Sequence, residues 1–192
     1  TLLAYGSDEQ KSFFCPRILA GKCHFSIGYT EPGAGTDLAS LTTRAERRDD
    51  HYLVNGQKIF CSLADHADYF WLAVRTDTEV AKHKGISMLI VDAKSPGISM
   101  TPIHGLGDNN ISAVYFENVE VPFGNLVGSE GSGWRLITSQ LNHERVALCS
   151  VGPMERIWEE TLDFARQQPS GSGALIDEPW VRRNLAEVRV GL

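Results

Sequence analysis

Three groups of residues in this chain could do chemistry. The first is the run Tyr29-Thr30-Glu31-Pro32-Gly33-Ala34-Gly35-Thr36-Asp37. Pro32 fixes φ and removes a backbone donor. Gly33 and Gly35 permit conformations and close approaches that a Cβ forbids. The run makes either a tight turn between two strands or a rigid loop whose exposed N–H groups and hydroxyls sit against a flat or anionic ligand. The second group is Phe60-Cys61-Ser62. Strand alternation puts Phe60 and Ser62 on one face. They read as a core Phe with a surface Ser, or as a ring and a hydroxyl that hold a planar heterocycle by its face and its edge. The third is Glu144, on the helical stripe Ile137–Leu141–Glu144–Leu148–Val151. A carboxylate in an apolar stripe is costly to bury. Arg145 points about 100° away around the helix. Glu144 therefore pairs with a cation from another helix, or it is a general base whose pKa desolvation raises, suited to removing a carbon-bound proton near neutral pH.

Other residues carry less. Gly105-Leu106-Gly107 and Gly128-Ser129-Glu130-Gly131-Ser132-Gly133 read as turns, since neither opens a βαβ unit and no GK[ST] follows. Cys15, Cys23, Cys61 and Cys149 form no CxxC pair and no disulfide framework. Scattered thiols suit a reducing compartment, and Cys61 and Cys149 read as buried apolar residues. The six histidines make no HxxxH or HExxH pattern, so no metal is expected. A net charge of −6 without a Lys/Arg cluster argues against nucleic acid and anionic membrane. No apolar run approaches the roughly 20 residues of a membrane span, and no signal peptide is visible. Thr1 at the start, and a helical run at 181–188 without a stop signal, read as an internal fragment of a longer protein.

The elements that position these residues follow from period and punctuation. Residues 4–20 read as a helix end closed by Pro16 and Gly21. Cys23–Tyr29 reads as a strand leading into the loop. His51–Val54 and Gln57–Cys61 flank Asn55-Gly56, a hairpin signal because a type I′ turn needs φ > 0 at both central residues. Tyr69–Arg75, Ile86–Val91, Ile98–Ile103, Ser112–Phe116 and Val119–Val121 complete about seven strands, which predict a compact antiparallel sandwich or barrel. Beyond Ser132, a plausible N-cap, apolar residues at helical spacing predict one long helix that kinks near 149–153, where Pro153 falls. Gln167–Gly173 reads as a loop, and Asp177 and Pro179 start another helix. The fold class is α+β, with segments at 1–22 (helix end), 23–127 (β domain) and 128–192 (the start of a helical bundle).

Several motifs together resemble the acyl-CoA dehydrogenase family: residues 29–40, Val54–Phe60, Ala67-Asp68-Tyr69, Arg75-Thr76-Asp77, Phe116–Pro122 and Leu141-Asn142-His143-Glu144-Arg145 stand in the family's order and spacing. The resemblance implies the end of an N-terminal helical domain, a whole middle β domain and the first part of a C-terminal four-helix domain. It also implies FAD. Ile27, Tyr29, Thr30, Gly35 and Thr36 match the segment lining the flavin, with the Thr30 hydroxyl on the pyrimidine side. Phe60, Cys61 and Ser62 match the aromatic beside the ring and the hydroxyl near N5. Thr36, Asn142, His143 and Arg145 match positions bordering the acyl-CoA. Glu144 matches the base of a minority of members, resembling the isovaleryl and long-chain enzymes; the others hold it later in the chain. The implied reaction is α,β-dehydrogenation of an acyl-CoA thioester, with electrons passed to an electron-transfer flavoprotein. The implied setting is a homo- or hetero-oligomer, a dimer of dimers, in the cytoplasm or the mitochondrial matrix. A non-catalytic subunit and an oxidase-like relative stay open. The family's Arg-x-x-Phe-Gly-like stretch is replaced here by Gln168-Pro169-Ser170-Gly171-Ser172-Gly173, which points to a heteromer in which only some pairings bind flavin.

Overall fold

Ser7 starts the first substantial helix. Its Oγ accepts from the Gln10 amide at 3.2 Å and the Gln10 side chain accepts from the Ser7 amide at 3.1 Å, a reciprocal cap. The computed structural model describes residues 1–106, 110–148 and 151–191. A short helix α1 (Leu2–Tyr5) precedes the capped helix α2 (Asp8–Leu19). Pro16 was expected to close α2 but lies inside it. Its carbonyl still accepts from the Ala20 amide at 3.1 Å, so the proline removes one donor and the last turn survives. The Gln10 amide group donates to the carbonyls of Gly124 and Leu126 at 2.8 and 2.9 Å, tying α2 to the end of the β region.

The strands are β1 (Phe25–Gly28), β2 (Arg44–Arg47), β3 (His51–Ser62), β4 (Tyr69–Arg75), β5 (Ile86–Asp92), β6 (Ile98–Ile103), β7 (Ile111–Pro122) and β8 (Leu126–Val127). They form one sheet in the order β6-β7-β3-β2-β4-β5-β8, with β1 parallel to β4. The step from β2 to β4 is a single pair, Arg44 with Arg75. The path has two ends, β6 and β8, so the barrel does not close and a sandwich results.

Two expectations about turns are corrected here. Asn55-Gly56 is not a hairpin, because β3 runs straight through it; the turn that joins β2 to β3 lies at Arg48–His51, where the Arg48 amide donates to the His51 carbonyl at 2.8 Å. Ser112–Phe116 and Val119–Val121 are likewise one strand, β7. Opposite Asn55, the register slips by one residue, with the extra residue on β7 at Asn118, φ 52°. The Asn55 and Asn118 side chains bridge the slip, the Asn118 amide donating to Asn55 Oδ1 at 2.8 Å. Gly56 is required where it stands, since a Cβ there would lie 2.6 Å from Thr43 Cα.

Strands β4 and β5 are buried on both faces, which explains their unbroken apolar runs. Phe70, Leu72, Val74, Leu89 and Val91 face a core shared with Tyr52, Val54, Val114 and Phe116. Trp71, Ala73, Met88 and Ile90 face a second core with Phe14, Tyr29, Leu41, Leu136 and Ile137.

By compactness the chain divides into Thr1–Gln140 and Leu141–Leu192. Of the expected long helix, the described residues show Gly133–Leu148 (α3) and Val151–Gln167 (α4) as helical. Pro153 lies within the helical residues of α4; Cys149 and residue 150 of the expected kink lie outside the described residues, as does Gly107. Within the second unit, the expected loop holds a two-residue hairpin, β9 (Pro169–Ser170) with β10 (Gly173–Ala174). Asp177 accepts from the Ala174 amide at 2.9 Å, and Pro179 is the first residue of helix α5 (Pro179–Gly191). The Trp158 indole donates to the Leu185 carbonyl at 3.2 Å, joining α4 to α5.

Candidate functional site

The loop after β1 is closed on itself and then pinned to β3. Glu31 and Ala34 exchange amide hydrogen bonds of 3.2 and 3.0 Å across Pro32-Gly33. The Ile59 amide donates to the Thr30 carbonyl at 2.9 Å, and Ser26 Oγ donates to the Ser62 carbonyl at 2.8 Å. These bonds bring the loop and Phe60-Cys61-Ser62, widely separated in sequence, into one wall.

Beneath the wall lies a buried ion pair. Lys58 is fully buried, and its Nζ donates to Glu31 Oε1 at 2.9 Å and to the Tyr29 carbonyl at 3.1 Å. Glu31 also accepts from the Thr42 amide (2.7 Å), the Thr42 hydroxyl (2.7 Å) and the Thr43 amide (2.8 Å). Burial alone would raise the Glu31 pKa, but the charge and hydrogen bond of Lys58 and the Thr43 donors outweigh it and lower it to about 2. Burial dominates at Lys58, which has two acceptors among the described residues, and lowers it to about 8 although Glu31 pulls the other way. Further back, the Tyr29 hydroxyl donates to Gln140 and accepts from the Trp71 indole at 3.0 Å.

What the wall presents outward is a set of donors and one ring. The backbone N–H groups of Thr30, Gly33, Gly35 and Thr36 donate to no acceptor among the described residues, and the hydroxyls of Thr30, Thr36 and Ser62 are likewise unpaired among them. A Cβ on Gly33 or Gly35 would meet nothing within 4 Å, and neither has positive φ. No atom of the described residues crowds either glycine, so the space beside them is open to whatever approaches from outside.

Phe60 is 59% exposed at φ 60°. A left-handed Phe is a costly conformation, on the order of 1–2 kcal/mol. It arises from a second register slip, between Lys58 and Cys61, that places an extra residue on β3. Before it, Tyr52, Val54 and Lys58 point inward; after it, Cys61 does. The bulge thus turns Phe60 out beside Ser62. Cys61 sends its side chain into the core, where burial pushes the thiol up to about 11, so only its backbone belongs to the wall. Ile27 borders a hollow of about 370 Å³ with Phe25, Trp71 and Gln140.

Asn142, His143, Glu144 and Arg145 lie on the second unit. Glu144 is partly buried and makes no hydrogen bond or ion pair with the described residues, so the expected cation partner is not among them. The apolar stripe around it is not buried within this chain: Leu141 is 37% and Val151 46% exposed, whereas Ile137 is fully buried.

The Lys58–Glu31 pair was not anticipated. Its signal was present, since Lys58 shares strand parity with Tyr52 and Val54 and so had to point into the core and find a counter-charge.

An isoalloxazine ring needs a flat apolar contact, donors for its polar edge and close backbone approach. The outward Phe60, the unpaired N–H and hydroxyl donors and the open glycines meet all three requirements. Residues 26–119 match the model of the acyl-CoA dehydrogenase middle domain, and residues 131–192 that of the acyl-CoA dehydrogenase C-terminal domain. Acyl-CoA dehydrogenase FadE26 of Mycobacterium tuberculosis is 54% identical over 98% of this chain and 48% of its own length. The ChsE4–ChsE5 complex of Mycobacterium tuberculosis superposes with a TM-score of 0.88 at 53% identity, covering 98% of this chain and 49% of that one. The Tcur3481–Tcur3483 steroid ACAD superposes at 0.90 with 49% identity, covering 98% and 48%. This chain spans about half the length of the relatives it matches. It belongs to the acyl-CoA dehydrogenase family.

Proposed function

We propose that the protein containing this chain catalyses flavin-dependent α,β-dehydrogenation of an acyl-CoA thioester to the 2-enoyl-CoA. The observation that carries the reading is the wall: a left-handed, outward Phe60 beside unpaired donors, on the middle domain of a family to which the chain belongs. In this reading residues 1–22 end an N-terminal helical domain, 23–127 are the middle domain and 128–192 begin the C-terminal bundle.

Phe60 packs against the flavin ring, Ile27 and the Tyr29 and Gly35 backbones line it, and the Thr30 and Ser62 hydroxyls donate to its edge. Thr36, Asn142, His143 and Arg145 hold the acyl-CoA. The Glu144 carboxylate takes the α-proton of the thioester; no described residue pairs with it. Bound FAD supplies the hydride acceptor for the β-hydrogen. Electrons leave to an electron-transfer flavoprotein, in the cytoplasm. The test is the visible spectrum of the full-length protein, with its partner subunit, before and after anaerobic addition of acyl-CoA. A flavin band that bleaches supports the reading; a colourless protein refutes it. Peroxide formed in air on adding substrate would instead mark an oxidase.

One observation favours a more specific assembly. The Pro169–Ala174 hairpin has no Arg or Phe to reach a neighbour's flavin, and two similar structures carry two-component names, ChsE4–ChsE5 and Tcur3481–Tcur3483, the latter a steroid ACAD. The proposed assembly is a heteromer in which a second subunit completes the FAD site, acting on a steroid-linked acyl-CoA. The isolated subunit then binds less than one FAD, and gains it with its partner. One FAD per isolated subunit contradicts this.

A further inference from the structure

We propose that Lys58 is a positioning residue that tunes the flavin through the Tyr29–Thr30 peptide. This rests on the flavin reading above. The Lys58 ammonium donates to the Tyr29 carbonyl at 3.1 Å. That carbonyl and the Thr30 N–H belong to one peptide unit, so a cation at its oxygen strengthens the N–H as a donor. The Thr30 N–H has no acceptor among the described residues. The next carbonyl, that of Thr30, is held by the Ile59 amide, so the peptide is clamped from β3 on both sides of Thr30.

A structural clamp does not need a lysine here. The loop is already closed by Glu31 and Ala34, and Glu31 is already held by Thr42 and Thr43. What Lys58 adds is a charge, fully buried and therefore little screened. Its field reaches the wall through a dipole that ends in a donor without an acceptor among the described residues. Such a donor favours the form of the ligand that carries more negative charge. For a flavin this is the two-electron reduced form, and the reduction potential rises.

The test is reductive titration of the FAD-loaded full-length assembly against a reference dye. Lys58→Met with Glu31→Gln removes both charges and leaves neither orphaned. The expected result is wild-type flavin content, with the reduced-to-oxidised ratio at a given poise lowered about tenfold, a fall of about 30 mV for a two-electron couple. Where that variant yields apoprotein, Lys58→Gln, which keeps a neutral donor near Tyr29, is titrated in its place with the same expected fall. Bound flavin at an unchanged potential overturns the role of Lys58 and leaves the wall intact. A wild-type assembly without flavin overturns the flavin reading itself, and Lys58 with it.

Discussion

Lys58→Met should cost far more stability alone than together with Glu31→Gln. The single change deletes a cation that is fully buried and leaves Glu31, 5% exposed, without its counter-charge. Orphaning one member of a buried pair costs about 3–5 kcal/mol. Three hydrogen bonds from Thr42 and Thr43 remain on the carboxylate, which places the loss near 3 kcal/mol. In the double variant the single Gln oxygen still accepts from the Thr42 amide and hydroxyl, the hydrogen bond from the Thr43 amide is forfeited, and Met fills the volume of the Lys stem. Replacing a whole buried pair in this way is often close to neutral, so the loss should shrink to about 1 kcal/mol. At roughly 2–4 °C per kcal/mol for a domain of this size, Lys58→Met lowers the melting temperature by about 10 °C and the double variant by only a few degrees. Differential scanning fluorimetry of full-length protein at pH 7 measures both. Losses that simply add, or a single-variant loss within the ~1 kcal/mol of a surface pair, would show that the two charges are not coupled as a buried pair.

Four further outcomes follow from the same geometry. Gly56→Ala forces a Cβ to within 2.6 Å of the Thr43 backbone and should cost about 1–3 kcal/mol, read from the same melting curves. Gly33→Ala and Gly35→Ala should leave the melting temperature unchanged or slightly raised, yet weaken FAD binding in equilibrium dialysis; unaltered affinity would remove the loop from the site. Phe60→Asn relieves a left-handed Phe, about 1–2 kcal/mol, and forfeits a comparable part of its packing, so stability should hold within ~1 kcal/mol while bound-flavin fluorescence changes. Glu31 titrates at about 2 in the fold and near 4.5 when unfolded, so the unfolded chain binds more protons between these values. Stability should be complete above pH 4.5 and fall by on the order of 3 kcal/mol toward pH 2, and Glu31→Gln should flatten that slope in acid-denaturation curves.

The loop Tyr29–Asp37 was legible because its message is local: Pro and Gly fix a turn whose N–H groups are left over. So were β4 and β5, whose unbroken apolar runs admit little but a strand buried on both faces. Asn55-Gly56 was misread because its turn chemistry is spent on a register slip against Asn118, and no local rule shows that partner. Phe60 admitted both a core and an outward reading for a related reason. Strand parity alone would continue Tyr52, Val54 and Lys58 inward to Phe60; only the compensating bulge reverses it. The Pro16 error was one of weight, since one lost donor did not outbid a capped helix anchored by Gln10 and packed through Phe14. Glu144 stood out by its stripe, of which Ile137 is buried while Leu141 and Val151 remain exposed.

The most direct measurement is anaerobic stopped-flow bleaching of the flavin in the full-length, FAD-loaded assembly, with a steroid-linked and a straight-chain acyl-CoA, in wild type and Glu144→Gln. The wild-type band should bleach with one of them. Glu144→Gln should retain its flavin and the same wall but bleach about 10²–10⁴ times more slowly, the usual contribution of a general base. Bleaching at the wild-type rate in Glu144→Gln would contradict the account.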